Sequence, residues 1–313
     1  MRRRGWRRAI PAALLSVLAS TALAQVFEPV SIPLAYEGHQ IEITGRFEKP
    51  IGAGPFPAAI LLHGCEGYQA GLWHTTMMAG VLHSLGVATL ITDSYTPRGY
   101  TTCDNVQAFE RVFDVYGGAA MLAGRGDIEH DKIAVIGFSQ GGATALFTAA
   151  TGGPAGPSPA VLKEVEEEKG AVYAAAWRAQ VTLAAAGFAA GGGKLAAFVA
   201  FYPSYCRVAQ NENFTASLLI LIGDYDNRLS SGACEHLAAV PRPGAPEVRF
   251  KLYPGASRGF DMNLGYRSND KSRYRVADRD AASDAPVAVR QFLREHLNLS
   301  APAAPQISQG GGK

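Results

Sequence analysis

Residues 132–150 read KIAVIGFSQGGATALFTAA, and the layout of this stretch decides the fold. Lys132–Ile136 is a short, nearly all-apolar run of strand length. Gly141–Ala150 is alanine-rich and reads as a helix. Between them, Gly137-Phe138-Ser139-Gln140-Gly141 has the form G-x-S-x-G. In a chain with 35 glycines that pattern arises easily by chance, so its setting matters more than its letters. A strand before it and a helix after it force a sharp turn, which lifts the Ser139 hydroxyl off the end of the sheet. Glycine flanks the turn because a side chain there would strike the neighbouring strand and helix. The helix N-terminus aims free N–H groups and its positive dipole end at the same point. The backbone N–H of Gln140 is then placed to hold an oxyanion.

The rest of the chain repeats this alternation. Val30–Ala35 and Gln40–Phe47 read as a hairpin turning at Glu37-Gly38-His39. Further strands are expected at Ala58–Leu62, Val87–Thr92, Leu195–Tyr202, Leu218–Ile222 and Val248–Tyr253. Helices are expected at Leu72–Leu85, Val106–Ala123, Gly232–Val240 and Asp284–Leu297. Continuously apolar strands alternating with helices make an α/β fold, a mostly parallel central sheet covered by helices on both faces. One domain over 25–299 is expected, with an insertion at 151–194. A helix from Val161 to about Ala185 fits that insertion, either as a cap over the site or as a solvated surface addition. Residues 300–313 read as a disordered tail.

With 48% apolar and 18% charged residues in 313, the chain has enough apolar material for a full core, which excludes intrinsic disorder. The formal charge of +2 misleads, because Arg2, Arg3, Arg4, Arg7 and Arg8 crowd the first eight residues. The body is mildly acidic, which argues against nucleic acid as a partner. Those arginines, the apolar run Ala9–Ala24 and the ending Ala22-Leu23-Ala24 form a signal peptide at 1–24. The alternative, a retained anchor, needs about 20 apolar residues, more than this run offers. A periplasmic or secreted protein without stable membrane insertion is therefore expected. The histidines are scattered, no Cys/His pair has ligand spacing, and no phosphate-loop or dinucleotide pattern occurs, so neither metal nor cofactor is expected.

Several stretches together carry a resemblance: LLHGCEG (61–67), TDSYTPRGYTTC (92–103), IAVIGFSQGG (133–142), FYPSYC (201–206), LILIGDYDNR (219–228) and LYPGASRGFD (252–261). In this order they resemble the dienelactone hydrolase family of α/β-hydrolases, particularly its secreted bacterial members. The resemblance implies an α/β-hydrolase fold and a Ser139 nucleophile, where the namesake enzymes use cysteine. It implies that the turn after Leu62 supplies the second oxyanion N–H, from Cys65, with His63 a structural hydrogen-bonder. It places the triad acid at Asp226, with Asp224 its near rival; either lies at a strand's C-terminal end, the edge that carries Ser139.

The departure lies at the base. The family reads YPGA-x-H-x-F, and here Tyr253-Pro254-Gly255-Ala256-Ser257-Arg258-Gly259-Phe260 puts Arg258 in the histidine's place. A guanidinium stays protonated and is not a competent base. Of the other histidines, His39, His74, His83, His130 and His296 read as surface or packing residues. His236 alone falls near the right edge, and Glu66 is the remaining non-histidine candidate.

Four cysteines allow three pairings. Cys65 and Cys103 follow neighbouring strands, as do Cys206 and Cys234, so Cys65–Cys103 and Cys206–Cys234 are the expected bridges. Glu66, Tyr68 and Arg98 fall at the catalytic edge as candidate pocket residues, as do Trp73, Tyr95 and Tyr205. Arg98 either holds a substrate carboxylate or braces its loop on Asp93. The function expected is cleavage of small esters or lactones through a Ser139 acyl-enzyme, impaired at Arg258. The alternative is a non-catalytic protein of the same fold that binds a ligand or partner at the old site.

Overall fold

Apolar runs of six or seven residues, bounded by turns, form the middle of the sheet. In the computed structural model, which describes residues 27–36, 39–151, 156–225, 231–262 and 276–299, they are β3 (Phe56–Leu62), β4 (Ala88–Asp93), β6 (Leu195–Phe201) and β7 (Ser217–Gly223). Nearly every residue in them is buried, as strands covered on both faces require. A hairpin, β1 (Glu28–Tyr36) and β2 (His39–Glu48), lies at one edge; β5 (Ile128–Phe138) is central and β8 (Val248–Tyr253) closes the other edge. The order is β1-β2-β4-β3-β5-β6-β7-β8. The hairpin is antiparallel within itself and to β4, and every other pairing is parallel. The mostly parallel sheet follows from the apolar runs.

Helices cover both faces. α1 (Gly67–His83) packs on α7 (Val276–His296), and α2 (Val112–Ala123) packs on α3 (Gln140–Thr151). The core between sheet and helices includes Ile60, Leu90, Val135, Phe198 and Ile220, all with no exposed surface.

Several boundaries differ from the sequence reading. The helix expected from Val106 begins at Val112, because Gln140 claims the Val106 carbonyl (2.7 Å) and the Glu110 carboxylate takes the Gln107 N–H (2.6 Å). The first helix starts five residues early, at Gly67. The last starts at Val276, eight residues before Asp284, because its first turns bury Asp278 and Ala281, and Asp278 accepts the Ser257 N–H at 2.5 Å. The insertion is two helices, α4 (Pro159–Lys169) and α5 (Ala171–Ala190), broken at Gly170, whose φ of 88° ends the first. Ser158 caps α4 on the Val161 N–H. α5 lies along α2, with Trp177 donating to the Phe109 carbonyl and Tyr173 to Glu110. α5 thus adds an outer layer against α2, and α4 packs on α5. α6 (Ser231–Ala239) sits beside β7 and β8. The expected signal segment 1–24, the tail 300–313 and Asp226 lie outside the described residues.

Candidate active site

The turn from β5 into α3 shows the strain that its sequence implied. Ser139 has φ = 56°, a left-handed conformation that L-residues adopt at a cost of order 1–3 kcal/mol. The surrounding glycines permit it. A Cβ on Gly137 would overlap the Gly141 carbonyl, one on Gly141 the Leu62 carbonyl, and one on Gly142 would stand 2.7 Å from the Phe201 carbonyl. Ser139 N–H donates to the Phe201 carbonyl and Ala143 N–H to the Ser139 carbonyl, so the serine backbone is held between β6 and the first turn of α3.

Gln140 is pinned from below. Its side-chain amide donates to Val106, and its carbonyl oxygen accepts from the Tyr95 hydroxyl and from Arg111 Nη1 at 3.2 Å. That leaves the Gln140 side chain inside the protein and its backbone N–H at the elbow. Arg111 and Tyr95 are themselves fully buried. The Nε and Nη2 of Arg111 have no hydrogen-bond partner among the described residues, and it holds no ion pair there. The sequence reading placed Tyr95 in the pocket and missed Arg111. No local signal marks Arg111, because its burial depends on α2 packing against the elbow.

The turn after β3 forms the other wall. His63 is completely buried; its Nδ1 donates to the Gly64 carbonyl (2.8 Å) and its Nε2 accepts the Ser94 N–H (3.2 Å). Burial, with Arg111 nearby, holds its pKa well below the usual histidine range. His63 spends both ring nitrogens on backbone groups, the structural hydrogen-bonding role expected for it. Cys65 is joined to Cys103, and Cys206 to Cys234. Both pairs are those expected from strand adjacency. The first clamps the 64–67 turn onto the loop after β4.

Arg258 reaches the serine. Its Nη1 donates to the Tyr202 carbonyl (3.1 Å) and its Nη2 to Ser139 Oγ (2.5 Å). The guanidinium therefore stands where a catalytic base would meet the hydroxyl, as a donor. The rival acid Asp224 is exposed and accepts the Gly255 N–H at 2.5 Å, so it shapes the turn that carries Arg258.

Glu66 lies in the same pocket, half-buried, with Oε1 accepting the Gly64 N–H (3.0 Å) and facing His74 Nε2 at 3.3 Å. Its pKa is raised chiefly by burial, against the pull of backbone N–H groups, Arg111 and Arg258. Tyr68 stands half-buried with its ring edge-on to His63. Trp73 points to solvent, 58% exposed. Arg98 corrects the expected pairing: it forms a buried two-pronged ion pair with Asp114 (2.7 and 3.1 Å) and donates to the Ser94 carbonyl. Asp93 instead accepts the Tyr95 and Thr96 N–H groups of its own loop through Oδ1. Arg98 thus braces the loop. Behind Arg258, the Tyr202 hydroxyl donates to Asp261 (2.6 Å), whose pKa burial pushes up to about 6.

Of the remaining histidines, His39, His130 and His236 are exposed, His83 meets Thr89 and His296 meets Glu247. Among the described residues, one group could hold a metal ion, Glu247, Glu295 and His296. Arg249 already bridges both carboxylates at 2.7 Å.

Comparison with known proteins agrees with this architecture. Residues 182–297 match the model of the Dienelactone hydrolase family. The structure is similar to a dienelactone hydrolase from Anabaena variabilis (16% identity, 86% of this chain and 98% of that one, TM-score 0.54). It is similar to esterase 2 of Thermogutta terrifontis phosphorylated by paraoxon (17%, 88% and 96%, 0.58). It is also similar to P91, a dienelactone hydrolase-like promiscuous phosphotriesterase from metagenomic libraries (17%, 86% and 98%, 0.55). No curated protein matches the sequence. The fold is the α/β-hydrolase fold.

Proposed function

We propose that this chain, an α/β-hydrolase whose residues 182–297 match the dienelactone hydrolase family, is an exported serine hydrolase of small esters or lactones. One observation carries the reading. Ser139 sits strained at the strand-to-helix turn with its hydroxyl against a half-buried cation, Arg258, and the N-terminus of α3 beneath it. Strain at a nucleophile is kept because it presents the hydroxyl, and the surrounding glycines make room for it.

In this mechanism Ser139 Oγ attacks the acyl carbon. The backbone N–H groups of Gln140 and Cys65 take the developing oxyanion. The alcohol leaves, and water releases the acid from Ser139. Asp226 takes the acid's place in chain order. Arg258 stabilises negative charge on Oγ but accepts no proton. Loss of a triad member as a unit costs up to ~10⁶ in kcat, while oxyanion hole and binding retain ~10³–10⁴ over water. Slow turnover is therefore expected. Two disulfides fit an oxidising compartment, and no described helix is long and apolar enough to cross a membrane.

The Arg258–Ser139 contact also favours a second reading, a ligand-binding protein in which the guanidinium occupies the reaction centre. Initial rates of short-chain aryl-ester hydrolysis by wild type, Ser139→Ala and Arg258→His separate the two. A wild-type rate above that of Ser139→Ala supports the hydrolase. A wild-type rate equal to it, with a large gain in Arg258→His, supports the binding protein.

A further inference from the structure

Beside Ser139 the chain builds a seat for one carboxylate. Glycine occupies positions 64 and 71, and both absences of a side chain serve Glu66. A Cβ on Gly71 would stand 2.8 Å from Glu66 Oε1 and 2.9 Å from the His63 Cβ. A Cβ on Gly64 would overlap Glu66 Oε2 and come within 3.0 Å of the Ser139 Cβ. The Glu66 carboxylate and Ser139 therefore both border the place a Gly64 Cβ would take, which keeps Oε2 within about 5.4 Å of the Ser139 Cβ, close enough for the hydroxyl to reach the carboxylate by turning from Arg258. The Gly64 N–H donates to Oε1 from behind, and His74 Nε2 stands 3.3 Å from the same oxygen. His74 is buried on α1, held against the Phe138 ring at 4.5 Å.

We propose that Glu66 is the general base for Ser139, supplying the proton acceptor that the chain lacks at position 258. The inference rests on the serine-hydrolase reading and deepens it. Glu66 takes the proton from Ser139 Oγ as the Oγ–carbon bond forms and the carbonyl electron pair moves onto oxygen. When the intermediate collapses, the bond to the leaving oxygen breaks and Glu66 returns the proton to it. A water then gives its proton to Glu66, attacks the acyl carbon, and Ser139 Oγ leaves with that proton. Arg258, on the other side of the hydroxyl, steadies the alkoxide without entering the proton count. Base and cation thus both stand beside the nucleophile.

The neighbouring acid–base groups are otherwise engaged. His63 uses both ring nitrogens on backbone, and Asp261 is bound to the Tyr202 hydroxyl. Burial raises the Glu66 pKa, which strengthens it as a proton acceptor. The charged and titratable groups around it are Arg111 from the start of α2, Arg258 from the turn after β8, His74 from α1, His63 from the end of β3, Tyr95, Tyr202 and Asp261.

The experiment is the rate of p-nitrophenyl acetate hydrolysis by wild type, Ser139→Ala, Glu66→Gln and Glu66→Asp, from about pH 4 to about pH 9. Glutamine keeps an oxygen for the Gly64 N–H and the same volume between the two glycines, and thermal melting verifies that the fold persists. The Ser139-dependent rate of wild type is expected to rise with pH along one acid limb set by Glu66. Glu66→Gln should lower kcat by roughly 10²–10⁴-fold with KM little changed, and Glu66→Asp should keep an intermediate rate. If wild type exceeds Ser139→Ala while a folded Glu66→Gln keeps the wild-type rate and acid limb, the base assignment falls and the hydrolase reading stands. If wild type equals Ser139→Ala, both fall.

Discussion

Arg258 donates through Nη2 to the hydroxyl of Ser139, 119 residues away in sequence, at 2.5 Å. A histidine in that place would exchange a proton with the hydroxyl; the guanidinium can only donate and attract negative charge. Its second prong on the Tyr202 carbonyl fixes it there. The contact makes the serine hydroxyl easier to ionise and leaves removal of the proton to another group.

Arg258→Lys should therefore lose more than charge conservation suggests. One ammonium cannot reproduce two prongs in a rigid plane. A charged hydrogen bond contributes about 1.5–3 kcal/mol, so acylation of Ser139 should slow by roughly tenfold to a hundredfold. Burst-phase kinetics with an activated aryl ester check this, because the burst rate reports acylation alone.

Gly142→Ala should be among the most damaging single substitutions. Its methyl would stand 2.7 Å from the Phe201 carbonyl and 3.1 Å from the Gly137 carbonyl, and backbone on both sides has nowhere to move. Overpacking costs about 1–3 kcal/mol and more where backbone must shift. Urea melts should show loss at the upper end of that range. Gly126→Ala, where nothing lies within 4 Å of the new atom, should leave the midpoint nearly unchanged.

The two disulfides should separate stability from activity. They close loops with sequence separations of 38 and 28, and loop entropy predicts about 3–4 kcal/mol for each. Paired serine replacements should therefore lower the melting temperature similarly. Only removal of Cys65–Cys103 frees the turn that carries the proposed oxyanion donor, so kcat should fall further in that variant than in the one lacking Cys206–Cys234. Melting curves and initial rates on both variants decide it.

Asp261 should make the protein less stable as pH rises. Its folded pKa is about 6, against an ordinary 3.8. Between those values the native state holds a proton that the unfolded chain has released, so stability declines as pH climbs toward 6 and stays lower above it. His63, with a depressed folded pKa, works in the opposite sense below its ordinary value. The comparison of wild type with Asp261→Asn isolates the aspartate. The variant should lack this decline, and a difference of order 1–3 kcal/mol between pH 4 and pH 7 is expected from urea melts.

Features set by neighbours along the chain are legible in the amino-acid order. The strand–turn–helix around Ser139 is local, so glycine spacing and apolar runs define it. Strand-length apolar runs likewise imply a buried parallel sheet, and neighbouring strand ends imply which cysteines meet. The unusual residue at 258 stands in a turn whose flanking letters identify its place. Contacts between elements are not legible there. Arg98 pairs with Asp114, which α2 brings beside it, while Asp93 holds its own loop's N–H groups. The helix expected over 161–185 breaks at Gly170, and its second piece lies on α2, where Trp177 and Tyr173 find partners at Phe109 and Glu110 just before that helix.

The amino-acid order by itself determined which elements form, how they alternate and where a serine is lifted from the sheet. Those depend on side-chain period and on backbone sterics within a few residues. Only the tertiary structure decided how the charges around that serine are held and added one the amino-acid order did not mark, Arg111. Arg111 is brought beneath the elbow by the packing of α2, Glu66 is seated between two glycines against His74, and Arg258 arrives from a turn after the last strand. Electrostatic environment depends on distance and burial, which chain connectivity does not encode locally.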